Sequence, residues 1–104
     1  MRYLANAFSL NMVAEFPFDC HGETLSLEAA KALAADAMSV VGHAETAAVF
    51  ANVLGMPVPF NRANVVLHKG DDLVVGQYRG PRLPEGATEL PAGATIMWCH
   101  VLLS

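Results

Sequence analysis

Three short stretches of this chain carry side chains suited to gripping and cutting a phosphodiester. In LANAFSLNMV (residues 4–13), Asn6, Ser9 and Asn11 set amide and hydroxyl groups into an otherwise apolar run. Polar groups embedded this way are costly to bury without hydrogen-bond partners, which they find in the chain or in a ligand. In VVGHAETAAVF (residues 40–50), His43 follows Gly42 at what reads as the start of a helix. Backbone N–H groups and the helix dipole favour an anion there, and an imidazole beside a bound phosphodiester can protonate a leaving alkoxide. In GPRLPEG (residues 80–86), Arg82 and Glu85 stand three apart in a loop stiffened by Pro81 and Pro84. Arginine grips phosphate bidentately, and the glutamate can orient it, position a ribose hydroxyl or act as a base.

Each of these groups also has a plainer reading. His43 can be a helix-start residue satisfied by backbone, and Arg82 with Glu85 a solvated loop ion pair worth about 0–1 kcal/mol. Asn6, Ser9 and Asn11 can bond the backbone of their own turn. Arg62, at the start of an expected strand, can neutralise a second phosphate or be an ordinary edge-strand cation. The dipeptides Cys20-His21 and Cys99-His100 raise a metal site. Adjacent strand residues point to opposite faces, however, and the C-x-x-C spacing of structural zinc is absent, so no metal is expected. Neither glycine-rich phosphate loop is present, nor a nucleophile-elbow motif.

The elements expected to carry these groups alternate between the two periodicities. Residues 1–9 look like an N-terminal strand running into a polar turn. Ser26 can cap a helix over about 27–37, where Leu27, Ala30, Leu33, Ala34 and Ala37 keep helical spacing. A short strand over 38–41 ends at Gly42, and a second helix covers about 44–54, stopped by Gly55 with Pro57 beyond. Asn61–His68 and Asp72–Tyr78, separated by Lys69-Gly70-Asp71, read as a hairpin. Residues 80–86 form a loop, 91–93 a turn, and 95–103 the closing strand. The expected fold is α/β: a small single domain, residues 1–104, with a mixed sheet of about five strands and two or three helices.

Composition narrows the partners. The 104 residues allow one core, and 54% hydrophobic against 15% charged residues exclude a disordered chain. So little charge on so small a body leaves apolar surface in need of a partner, and self-association is the simplest way to cover it. No apolar stretch approaches the roughly 20 residues of a membrane span, and two cysteines do not make a disulfide framework. A cytoplasmic protein without membrane contact is expected. The net charge of −4 argues against a general DNA binder. Four of the six cations nevertheless fall in residues 62–82, as Arg62, Lys69, Arg79 and Arg82 against Asp71 and Asp72. That suits a focused anion site of few phosphates.

Taken together, the blocks resemble one family. LANAFSLNMV is similar to the L-x-N-A-F-S-[IL]-N-M opening of the viral anti-CRISPR ring nucleases, which also have bacterial and mobile-element members. VVGHAETAAVFANVLG resembles their [AV]-[IV]-G-H-x-x-T block, VPFNRANVVLHKGDDLVV their N-R-x-x-V block, and GPRLPEG their R-L-x-E-G loop. The similarity spans nearly the whole chain in order. It departs at Glu45, where many relatives have a small hydroxyl or neutral residue, and after Gly86, where the chain is shorter than in archaeal viral members.

The resemblance implies a small α/β homodimer that binds cyclic tetra-adenylate, the type III CRISPR second messenger, across a dimer cleft. It implies cutting to linear di-adenylate without metal or other cofactor. His43 matches the catalytic histidine, and Arg82 and Glu85 the loop Arg and Glu. Asn6, Ser9, Asn11, Thr46 and Arg62 match ligand contacts, with Gln77 a looser match. In such a reaction a ribose 2′-hydroxyl attacks the adjacent phosphorus while His43 protonates the leaving oxygen and Arg82 stabilises developing charge. Two other readings keep the same sequence: a cyclic oligoadenylate-binding sponge or sensor without turnover, and a protein-interaction subunit.

Overall fold

Residues 72–75 (Asp-Leu-Val-Val) are all buried, as expected of a strand covered on both faces. They begin β4 (Asp72–Arg79), the central strand of a five-stranded mixed sheet in a computed structural model that describes residues 1–104. The other elements are β1 (Arg2–Ala5), β2 (Cys20–Leu25), α1 (Leu27–Ala34), β3 (Met38–Ser39), α2 (Ala44–Leu54) and β5 (Thr95–Leu103). The strand order is β2-β5-β4-β1-β3. β1 runs parallel to both β3 and β4, whereas β5 pairs antiparallel with β4 and β2.

Successive residues of β1 and β4 serve opposite faces of the sheet. Leu4 and Val74, with Trp98 of β5, pack under Ala30 and Ala34 of α1 and Ala47, Phe50 and Leu54 of α2. Ala5, Leu73, Val75 and Leu103 face the other way. There the cover is irregular chain, contributed by Phe8, Met12, Val13, Phe18, Val65 and Leu67. Both helices begin and end where their local chemistry dictates. The Ser26 hydroxyl accepts from the Ala29 N–H at 3.1 Å, and Gly55 ends α2 at φ 68°, its N–H bonded to the Ala51 carbonyl.

Five strands and two helices match the expected class, but the strands are not all the expected ones. Residues 61–68 form no hairpin with β4. Both edges of β4 are occupied, by β1 and by eight residue pairs with β5. The 68–71 turn does reverse the chain, with the Asp71 N–H on the His68 carbonyl at 3.0 Å. Before that turn, residues 65–67 cross the sheet face, where Leu67 bonds the 12–14 segment in a single parallel bridge. The fifth strand is β2, an edge strand exposed along five of its six residues. The first strand ends at Ala5, α1 at Ala34 and β3 at Ser39, each shorter than its expected span.

Candidate functional site

Three chain segments leave the sheet toward the N-terminus of α2. Asn6 follows the last residue of β1, Gly42 and His43 lie just beyond β3, and Tyr78 near the end of β4 leads into the loop that carries Arg82 and Glu85. His43 is the N-cap of α2 with extended backbone (φ −130°, ψ 124°), and its carbonyl receives the first helical bond, from Ala47, at 2.9 Å. Its exposed imidazole makes no cap bond to the helix, so the ring is free for a ligand. The N–H groups of Ala44, Glu45 and Thr46 belong to the helix's first turn, which lacks intrahelical acceptors and favours an anion.

The imidazole stands where two clefts meet. One, of about 450 Å³, is lined by Asn6, Asn11, Met12, Asn64, Val65 and His43 among others. The second, of about 530 Å³, is lined by His43, Glu45, Thr46, Tyr78, Gly80, Arg82 and Leu83. Arg82 also borders a third depression of about 620 Å³, within residues 81–92, together with Glu85. The structure thus strings Asn6 and Asn11, His43 and Thr46, then Arg82 and Glu85 along one row.

The remaining predicted residues lie off that row. Arg62 is in unpaired chain rather than a strand, and its Nε donates to the Gly42 carbonyl at 3.3 Å, beside His43. Its guanidinium also lies 5.9 Å from the Phe60 ring centroid. Ser9 is exposed at the start of a 3-10 turn (Leu10–Met12), with its N–H on the Met12 sulfur at 3.3 Å. Gln77 is exposed on the sheet face opposite the helices, and it is Tyr78 that faces the cleft.

Tyr78, Asn64 and Leu83 were not picked out by sequence reasoning. Period-two alternation in β4 signals that one of Gln77 and Tyr78 faces the helices, without saying which. The Tyr78 hydroxyl donates to the Pro81 carbonyl at 2.5 Å and so fastens the root of the Arg82 loop. Gly80 is pinched there, since a Cβ would fall 2.6 Å from Ala94 Cβ and 2.9 Å from the Tyr78 hydroxyl.

No three His, Cys, Asp or Glu side chains gather in a geometry that could hold a metal ion. Cys20 and Cys99 are free thiols, and no helix is long and apolar enough to cross a membrane. The perturbed titratable groups, Arg2 and Asp72, lie away from the row. Asp72 Oδ2 accepts from Arg2 Nε and from His100 Nε2, both at 2.7 Å.

Residues 2–92 match the model of the STIV B116-like family, and the chain belongs to that family. The fold is similar to B116 of Sulfolobus turreted icosahedral virus, with a TM-score of 0.82, 26% identity and 97% of each chain covered. It also resembles uncharacterized protein 26 of Sulfolobus islandicus filamentous virus (isolate Iceland/Hveragerdi), at 32% identity over 76 residues. That alignment takes in 71% of this chain and 64% of the viral protein's length.

Proposed function

We propose that the protein is a ring nuclease that binds cyclic tetra-adenylate across a two-fold dimer and cuts it to linear di-adenylate, switching off type III CRISPR signalling. The observation that carries this reading is the placement of His43: a free imidazole at a helix N-terminus, at the junction of an amide-lined cleft and an arginine-bearing one. Membership of the B116-like family is consistent with it, as are the blocks that resemble ring nucleases. The 2′-hydroxyl of one ribose attacks the neighbouring phosphorus in line. His43 then protonates the departing 5′-oxygen, and Arg82 with the first-turn N–H groups stabilises the phosphorane charge. Asn6 and Asn11 hold the adjoining nucleotide, and Glu85 positions Arg82 from the outer depression. Val66 (54% exposed) lines the amide-lined cleft and Leu10 (62% exposed) precedes its Asn11, and both offer apolar surface for a second copy. A two-fold pair presents the same row to each half of a four-fold ring.

The test incubates purified full-length protein with labelled cyclic tetra-adenylate and a chelator. The expected products are linear di-adenylates ending in a 2′,3′-cyclic phosphate, and the complex is dimeric. General acid catalysis contributes about 10²–10⁴-fold, so His43→Ala lowers single-turnover cleavage at least about tenfold and leaves ring affinity nearly unchanged. Stoichiometric capture of intact ring without product would replace the nuclease with a sponge. Loss of binding with an unchanged rate in the saturated complex would remove His43 from the chemistry.

A further inference from the structure

We propose, resting on the reading above, that the carboxylate of Glu45 is the general base that takes the 2′-hydroxyl proton, opposite His43 as acid. Glu45 is half-buried in the first turn of α2 and lines the same 530 Å³ cleft as His43, Thr46 and Arg82. Neither a salt bridge nor a side-chain hydrogen bond within the chain engages it, although seven ion pairs form elsewhere. The other acidic candidate, Glu85, borders the outer depression and does not line the cleft of His43.

Local backbone separates the two groups. His43 is the extended N-cap and Glu45 the second residue of α2, so their side chains enter the shared cleft from different points of the helix mouth. In-line displacement at phosphorus needs acid and base at separate points, since the attacking and departing oxygens lie on opposite sides of the reacting atom. Glu45 accepts the proton from O2′, and the O2′–P bond forms as the P–O5′ bond breaks. The His43 imidazolium gives its proton to O5′. The products are a 2′,3′-cyclic phosphate and a 5′-hydroxyl, and solvent returns one proton to His43 and removes one from Glu45. No water is consumed in this step and no oxidant or reductant takes part.

The experiment measures single-turnover cleavage of cyclic tetra-adenylate against pH for the wild type, Glu45→Gln, Glu45→Asp and Glu85→Gln, all as full-length protein. The wild-type rate rises as a carboxylate ionises and falls as an imidazolium is lost. Glu45→Gln loses the rising acid limb and at least about tenfold at the optimum. It retains affinity for a 2′-O-methylated ring that cannot be cut. Glu45→Asp keeps the limb at a lower rate, and its profile decides the matter should Glu45→Gln melt early. The assignment is overturned if Glu45→Gln stays within about twofold of wild type at every pH, or if Glu85→Gln is the variant that removes the acid limb. A wild type that cuts no ring overturns the nuclease reading and this base together, whereas wild-type cleavage with an unaltered Glu45→Gln profile overturns the base alone.

Discussion

Replacing Gly76 with alanine tests how the sheet sets the width of the candidate site. Gly76 lies in β4 beneath the rings of Phe50 and Trp98, whose centroids are 4.9 Å apart. A Cβ at this position would fall 2.5 Å from Phe50 Cζ and 2.6 Å from Trp98 Cζ3. Ordinary contact begins at 3.4 Å, so the rings must yield by about 0.9 Å. Both belong to the buried cluster between sheet and helices, where there is little free volume to yield into. Overpacking of this kind costs about 1–3 kcal/mol, and the entropic gain of alanine over glycine in a strand offsets roughly 0.5–1 kcal/mol. Clashes with two rings at once place the cost at the upper end of that range, so the net loss of about 2–2.5 kcal/mol lowers Tm by about 8–20 °C for a domain of this size. Phe50 also belongs to α2, the helix that carries His43 and Thr46, while β4 leads into the Arg82 loop. Lifting α2 therefore separates His43 from Arg82, and a misplacement near 1 Å can cost up to about 10²-fold in rate. Thermal melts and single-turnover cleavage read the two effects. Adding Phe50→Leu to Gly76→Ala makes room for the new methyl, so the double variant melts higher than the separate losses add up to. An unchanged or raised Tm in Gly76→Ala, or strict additivity in the pair, would refute the packing argument.

Two further perturbations probe the frame around the site. Burial alone would raise the Asp72 carboxyl, but hydrogen bonds from His100 and Arg2 outweigh it and hold the group below its ordinary value. A depressed carboxylate stabilises the fold above the ordinary carboxylate range and loses that contribution as pH falls through its folded value. Asp72→Asn is thus expected to cost about 1–3 kcal/mol at pH 7, with the gap closing in acid; a gap constant across urea melts from pH 3 to 8 would contradict this. Tyr78→Phe releases the Pro81 carbonyl. A net bond of about 0.5–1.5 kcal/mol corresponds to roughly 2- to 12-fold more opening, read as faster limited trypsin cleavage after Arg82; an unchanged rate would show that the loop holds without the hydroxyl.

How much of this was legible in the sequence depended on whether burial and pairing coincided. α2 was read correctly because its punctuation is local: glycine before it, an apolar face along it, and Gly55 in the left-handed conformation after it. Val65, Val66 and Leu67 look like a strand in sequence because their pattern reports which side chains are covered, and Leu67 is fully buried. It does not report which backbone the segment bonds. β2 shows the converse. Cys-His-Gly-Glu-Thr-Leu has no apolar alternation, because its strand is an edge held by β5 alone with most residues in solvent. The site inherits the same ambiguity. His43 and Arg82, suggested by type and context, share a cleft with Thr46, which only the family resemblance indicated. Gln77, likewise indicated by resemblance, lies on the face of β4 away from α2, and alternation alone does not say which face the helix covers.

The topology also explains why these particular segments meet. In open α/β sheets, ligands bind outside the carboxyl ends of parallel strands, where connections depart to opposite sides. β1 is flanked by two parallel neighbours, β3 on one side and β4 on the other. The chain leaves β1 at Asn6, β3 toward Gly42 and His43, and β4 at Gly80, all at the same end of these parallel strands. Asn6, His43 and Arg82 follow closely on Ala5, Ser39 and Arg79, the last paired residues of β1, β3 and β4, and Thr46 is held by the first turn of α2. Ser9 and Arg62 are carried by irregular chain, and Gln77 points away. Closeness to a strand end thus favours lining a cleft but does not decide it, since Asn11 lines one and the nearer Ser9 does not, and Gln77 within β4 faces away. Under the proposed reading, chemistry therefore belongs to the His43 and Arg82 cleft, and Ser9, Arg62 and Gln77 are expected to reach a ligand only from its rim.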